Sequence, residues 1–266
     1  MKKISIPFAP LFSLLFLFSC SVNKAKIDND LKEYFSDNKV EGSFSMLNNA
    51  DGEITVYNIS MDTARVSPFS TFNILNALIA LENGVVTDLD MNIKTSDTIA
   101  NQGMKITQAF KSNFTPFFQE ISKKTGKEAM QKWVDSISYG NKNIGDSLHS
   151  FWVDNKLKIS PDEQLGFLKR LYFDQLPFRK SVQLQVRDMM VQEDNSAYKW
   201  SYVMGNGKDE NDQFVSWLIG WVEENRHVYF FTTLIKSTEK KQQQDQVVLK
   251  ISKDILTHYD FFKGKK

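Results

Sequence analysis

Two runs near the C-terminal end, Val215 to Val222 (VSWLIGWV) and His227 to Leu234 (HVYFFTTL), constrain the fold more than any other part of the sequence. Both are dense in aromatic and β-branched residues, and only Glu223-Glu224-Asn225-Arg226 separates them, so they read as two strands of a hairpin. A second hairpin signal stands near the other end, where Gly42 to Leu47 and Glu53 to Asn58 alternate apolar and polar residues about Asn48-Asn49-Ala50-Asp51-Gly52. Between them the spacing predicts helices over Ser70 to Leu81, Thr115 to Thr125 with Gly126 as a stop, Lys127 to Ser136, and Pro161 to Tyr172. The last of these opens with Ser160 as N-cap, Pro161 at the first helical position and Glu163 two residues later, a capping-box pattern. Asp245 to Leu256 supplies a closing helix after the polar run Lys240 to Gln244, and no internal repeat is present. Strands, a helical insertion, more strands and a final helix make an α+β fold, with flanking helices on a mostly antiparallel sheet.

Composition narrows the chemistry. With 266 residues, 41% of them hydrophobic, the chain can bury one sizeable core. Lys+Arg 33 against Asp+Glu 32 gives a formal charge of +1, without the basic stripe that phosphate recognition requires, so nucleic acid is set aside as a partner. A single cysteine, Cys20, excludes intramolecular disulfides, cysteine zinc sites and CxxC redox chemistry. His149, His227 and His258 are far apart in sequence and form no HExxH-like cluster, so neither metal nor cofactor is expected. Phe 21, Tyr 8 and Trp 5 point to a large, stiff core or groove.

The first residues read as an export signal. Lys2 and Lys3 precede an apolar run from Ile4 to Phe18, which is short for a bilayer span and ends in Ser19-Cys20-Ser21. Leu17-Phe18-Ser19-Cys20 resembles a bacterial lipobox, in which Cys20 would carry lipid and become the mature N-terminus. The expected organisation is a signal over residues 1–20, a polar tether over 21–39 with a short helix around Leu31 to Phe35, and one domain over 40–266. Such a protein is expected in the bacterial cell envelope, held to a membrane by its anchor on the periplasmic or the surface side.

Ser70 is the residue with chemical promise. A strand ending near Asn58, a loop, and a serine at the start of a helix place a hydroxyl among backbone N–H groups at the positive end of the helix dipole. The same position suits a helix cap, and local spacing alone favours that simpler role.

The run Ser67-Pro68-Phe69-Ser70-Thr71-Phe72-Asn73, continuing through Leu81-Glu82-Asn83-Gly84, resembles the nucleophile helix of class D serine β-lactamases and of the related penicillin-sensing receptor domains. Further landmarks follow in family order: Ala109-Phe110-Lys111 with Pro116 and Gln119, Tyr139-Gly140-Asn141, Phe151-Trp152-Val153, Ile159-Ser160, and Gly220-Trp221-Val222-Glu223. The resemblance covers nearly all of the chain after residue 40. It implies a β-lactamase/transpeptidase-like fold, Ser70 as the acyl-ester nucleophile, and a β-lactam or peptidoglycan-like ligand.

Three family motifs are altered. The S-x-x-K lysine, which in the family acts as general base in its carbamate form, is Asn73, and an amide neither takes a proton at neutral pH nor forms a carbamate. The S-x-V motif aligns on Asn113-Phe114-Thr115, so its serine is replaced; a one-residue shift would bring the adjacent Ser112 into its place. K-T-G has two placements: Lys199-Trp200-Ser201 keeps a lysine, whereas Val203-Met204-Gly205 needs no gap and keeps the glycine, and is preferred. The resemblance also implies an oxyanion hole from the backbone N–H groups of Ser70 and Asn206, and a tryptophan, Trp152, which shields the carbamate in the family but here serves more simply as core packing. Lys105, Lys111 and Lys199 are the candidates for a substitute base. Three readings follow: an interaction lipoprotein with a retained fold and an unknown protein partner, a ligand-binding sensor acylated slowly at Ser70, and an active β-lactamase with unusual base chemistry. Efficient turnover is not expected.

Overall fold

In the computed structural model the described residues are 25–95, 103–239 and 244–264. The chain opens with β1 (Ala25–Ile27) and α1 (Lys32–Asp37), then β2 (Glu41–Asn48), β3 (Ile54–Tyr57) and α2 (Ile59–Asp62). A 3-10 turn, Phe69–Phe72, runs into α3 (Asn73–Glu82). The helical insertion continues through the small ribbon β4 (Asn92–Ile93) and β5 (Met104–Lys105), α4 (Ile106–Lys111), α5 (Thr115–Thr125), α6 (Lys127–Ser136), α7 (Pro161–Tyr172) and α8 (Lys180–Met190). The chain closes with β6 (Val191–Asp194), β7 (Lys199–Lys208), β8 (Phe214–Glu224), β9 (His227–Ser237) and α9 (Gln244–His258).

The main sheet has the order β1-β3-β2-β9-β8-β7-β6, and every pairing in it is antiparallel except β1 with β3. The predicted C-terminal hairpin is β8 and β9, with a loop tightened to Asn225-Arg226. Both of those residues have positive φ, the conformation of a two-residue turn that follows the twist of its strands. The sheet is covered on both faces, which is why its strands read as nearly continuous apolar runs. Trp217, Trp221, Phe230 and Leu234 face the helical insertion, while Leu218, Val222, Phe231 and Ile235 face α1 and α9. Some buried polar residues of the sheet are paired, as in Ser45 with Thr232 (2.7 Å) and Ser252 with Thr233 (2.8 Å).

Helices α5, α6 and α7 occupy the predicted spans, and Ser160 N–H donates to Glu163 Oε2 at 3.0 Å as the capping-box pattern requires. Three expectations are corrected. The segment assigned to a tether over 21–39 is built into the fold from Ala25 onward: β1 pairs with β3, and Leu31 and Phe35 are buried. Phe35 stacks on Tyr57 with ring centroids 4.9 Å apart, over Gly42, where any Cβ would strike the Phe35 ring. The segment looks polar because only the Leu31–Phe35 stripe of its short helix turns inward. The helix expected from Ser70 begins as an α-helix at Asn73, with Phe72 in the N-cap position, so Ser70 is not a cap. α9 extends beyond the expected span at both ends. The signal and Cys20 lie outside the described residues.

Candidate functional site

The sequence around Ser70 folds as a pinned turn. Val66 forms an isolated bridge with Ile159, and Ser67 O accepts from Trp217 Nε1 at 2.9 Å. Ser67 Oγ donates to Asn155 Oδ1 at 3.0 Å, and Asn155 Nδ2 donates in turn to Lys208 O on β7. Phe69 sits at φ +48°, a costly place for a bulky side chain, and its N–H donates to Trp152 O at 3.0 Å. Thr71 Oγ1 donates to Pro68 O at 2.8 Å and accepts from Gln164 Nε2 at 2.9 Å; Gln164 Oε1 faces the Tyr139 hydroxyl. Burial drives the Tyr139 phenol far above its ordinary pKa, so it stays neutral. Ser70 is held in this turn almost buried, at 8% exposure, and its hydroxyl has no hydrogen-bond partner among the described residues.

Strand β7 completes the turn. A Cβ on Gly205 would lie 2.8 Å from the backbone nitrogens of Ser70 and Thr71, and one on Gly207 would overlap the Phe69 ring. Two glycines therefore let a strand backbone lie against the turn that carries the serine. Val203, preceding Gly205 on the same face, is buried with the helical insertion, whereas Met204 points toward the α9 side. Asn206 is exposed, and its Nδ2 donates to Asp245 Oδ1 in the first turn of α9 at 2.7 Å. β6 pairs only with Lys199 to Ser201, so β7 from Tyr202 onward has an edge outside the ladder. A cavity of about 250 Å³ lies beside this edge, bordered by Ser112, Asn113, Tyr202, Val203, Met204 and Asp245.

One helical turn after Ser70, buried Asn73 donates through Nδ2 to Asn113 Oδ1 at 3.0 Å, and Asn113 Nδ2 donates to Met204 O at 3.4 Å. The far end of this chain fixes its direction. A carbonyl oxygen only accepts, so Asn113 turns its NH₂ to Met204 and its oxygen to Asn73, and Asn73 must present NH₂ in return. Among the described residues, Asn73 Oδ1 is left buried without a partner. Asn113 also adopts φ +53°, a left-handed conformation that asparagine tolerates better than most residues. Ser112 takes no part in this chain: its exposed hydroxyl donates to Gln108 O of α4 at 2.8 Å, so the one-residue shift considered from sequence does not occur.

The other placements can be located as well. Lys199-Trp200-Ser201 lies at the opposite end of β7, six residues and about 20 Å from Gly205. There Lys199 faces Glu223 at 3.9 Å, beside a separate cavity of about 400 Å³. Lys105 is paired with Asp90 at 2.7 Å, and neither it nor Lys111 is bonded to Ser70. Trp152 is buried and stacks on Phe72 (5.5 Å), with Phe151 edge-on to both, so its ring packs within an aromatic cluster. Sequence reasoning missed Gln164, Thr71 and Asn155 as supports of the turn. The Gln164–Thr71 and Ser67–Asn155 bonds span 93 and 88 residues and leave no local signature, although Gln164 on the otherwise apolar face of α7 marks a buried polar residue in need of a partner.

Ser70 thus sits on a pinned turn at a helix start, set against a glycine of a neighbouring sheet strand. The family model described as the penicillin binding protein transpeptidase domain matches residues 35–257, and the chain belongs to that family. Over 228 residues it is 33% identical to β-lactamase OXA-5 of Pseudomonas aeruginosa, covering 82% of this chain and 85% of that one. It is 28% identical over 216 residues to the regulatory protein BlaR1 of Bacillus licheniformis, covering 79% of this chain and 36% of that protein. Among solved structures, the class D β-lactamase YbXI from Nostoc superposes with a TM-score of 0.82 at 27% identity, covering 88% of this chain and 99% of that one. The C-terminal domain of the BlaR penicillin receptor of Bacillus licheniformis gives 0.83 at 26% identity, covering 90% and 98%. The protein is thus a homologue of class D serine β-lactamases, with their mixed α+β fold.

Proposed function

We propose that this protein is a lipid-anchored cell-envelope member of the penicillin-recognising family that works by binding, not by efficient hydrolysis. The observation that carries this reading is the amide chain Asn73–Asn113–Met204. It fills the places where the family's resemblance puts a general base and a hydroxyl relay. Neither amide can accept the Ser70 proton at neutral pH, and losing a positioned base alone costs about 10²–10⁴ in rate. With Val203 and Met204 on the K-T-G positions, the cation for a ligand carboxylate is missing too. The ligand class that fits the family is a β-lactam or a peptidoglycan-like amide, taken up beside the edge of β7. Cys20 supplies the anchor, and any protein partner would meet the domain at the membrane.

A second reading, a receptor acylated slowly at Ser70 and not released, is favoured by the intact turn: the Gly205 backbone still packs on the Ser70 N–H, and backbone donors survive side-chain replacement. Incubation with a fluorescent penicillin, followed by a denaturing gel beside Ser70→Ala, separates the two. Binding without acylation leaves no band, while equilibrium binding is still seen by fluorescence anisotropy. A stable Ser70-dependent band assigns the receptor reading. Neither signal at saturating ligand removes β-lactams from the proposal.

A further inference from the structure

The described fold begins at an edge. β1 is the outermost strand on the side away from β7, and five inter-strand steps separate the two, about 24 Å at the usual spacing. All three residues of β1 are exposed. Ile27 and Ile59, at 57% and 47% exposure, are two of the four large apolar side chains left in solvent among the described residues; Ile27 lies on β1, and Ile59 opens α2 just after β3, the strand with which β1 pairs. Ile27 is in register with Val56, and Ile59 follows Val56 across the left-handed Asn58. Lys26, the neighbour of Ile27 on β1, is exposed, whereas the carboxylate of Asp28 is engaged by the Tyr259 hydroxyl at 2.8 Å. Cys20 itself lies outside the described residues, five residues before Ala25. Fully extended, that length spans at most about 18 Å, less than the distance from β1 across the sheet to β7.

We propose that the β1 edge, through Ile27 and Ile59, is the face that rests on a phospholipid surface, and that the Ser70 cleft is thereby held on the side turned away from the bilayer. This rests on the lipid-anchor reading of Cys20. Two isoleucines are a small patch, but a short leash makes their contact with the membrane intramolecular, so a weak interaction suffices to fix orientation. Lys26 suits an anionic headgroup. A second copy of the chain is a poorer fit, because a three-residue edge strand offers too short a ladder for stable pairing.

The test couples the chain from Cys20 onward, through that single thiol, to a maleimide-headgroup phospholipid in phosphatidylethanolamine/phosphatidylglycerol vesicles. Hydrogen exchange is then compared with the same protein coupled to a soluble maleimide. The expected result is at least fivefold slower exchange in residues 25–28 and 57–62, with no change in 202–208. The 57–62 segment is decisive, since it is remote in sequence from the coupling site. Ile27→Asp with Ile59→Asp, or a ten-residue Gly/Ser insertion after Val22, is expected to abolish the protection while leaving the protein on the vesicle. Unprotected 57–62, equal protection at 202–208, or protection that grows with protein density on the vesicle would each overturn the proposal. Chemical coupling bypasses cellular lipidation, so the anchor itself is judged separately: fatty-acid labelling in cells that persists in Cys20→Ala removes the anchor reading and leaves the vesicle result standing.

Discussion

Asn73 and a lysine differ at this position in the direction of the proton they can handle. Buried and donating to Asn113, the amide offers Ser70 only an oxygen too weak to take its proton. A lysine placed there would still meet Asn113, Val203 and Met204 unchanged. Asn73→Lys is therefore expected to leave cephalosporin hydrolysis within tenfold of the unaltered protein, and to lower the melting temperature by desolvating an ammonium; recovery of a thousandfold or more would mean that the other two positions do not silence the site. Asp62 gives a second residue-scale prediction, independent of the site. Burial pushes its carboxyl up to about 6, a hydrogen bond with Ser45 opposes this, and Asp162 adds to it. A carboxyl raised in the folded state favours folding when protonated, so its contribution is present below the unfolded pKa near 4 and is lost as the pH rises through about 6. The stability of the protein relative to Asp62→Asn should fall by about 2–3 kcal/mol between pH 4 and pH 7, read from urea midpoints at each pH. Parallel curves for the two proteins would show that Asp62 is not raised.

At the scale of elements, β7 decides the geometry around Ser70, and it was poorly legible in the sequence. Its run Tyr202-Val203-Met204-Gly205-Asn206-Gly207 lacks the β-branched density of β8 and carries two glycines, which ordinarily weaken a strand. Those glycines are kept because the strand must lie against a helix-start backbone, a tertiary requirement with no local signature. Gly205→Ala is expected to cost about 1–3 kcal/mol, since its methyl would enter a 2.8 Å gap to two backbone nitrogens. An unchanged denaturation midpoint would contradict this packing. Helices α5, α6 and α7 were legible because their ends carry their own chemistry, Gly126 between two helices and Ser160-Pro161 at a start. Within the site, the Ser70–Asn73 relation was legible as a turn of helix. The Asn73–Asn113 bond was not, because forty residues of insertion intervene and only the packing of α3 beside the α4–α5 loop brings the two amides together.

The whole molecule is a sheet covered on both faces, with the cavity beside β7 near one edge and β1 at the other. Treating residues up to 39 as a tether predicts no cost for Phe35→Ala, whereas the buried ring stacked on Tyr57 predicts a loss of about 3–5 kcal/mol, measured by chemical denaturation. The fold is that of a class D homologue, and on the proposed reading the groups that would move protons are replaced. Steady-state hydrolysis of a chromogenic cephalosporin by the purified domain, measured beside Ser70→Ala, tests this directly. The rate is expected to match that of Ser70→Ala; Ser70-dependent turnover at ordinary enzyme rates, on the order of 1 s⁻¹ or faster, would contradict it.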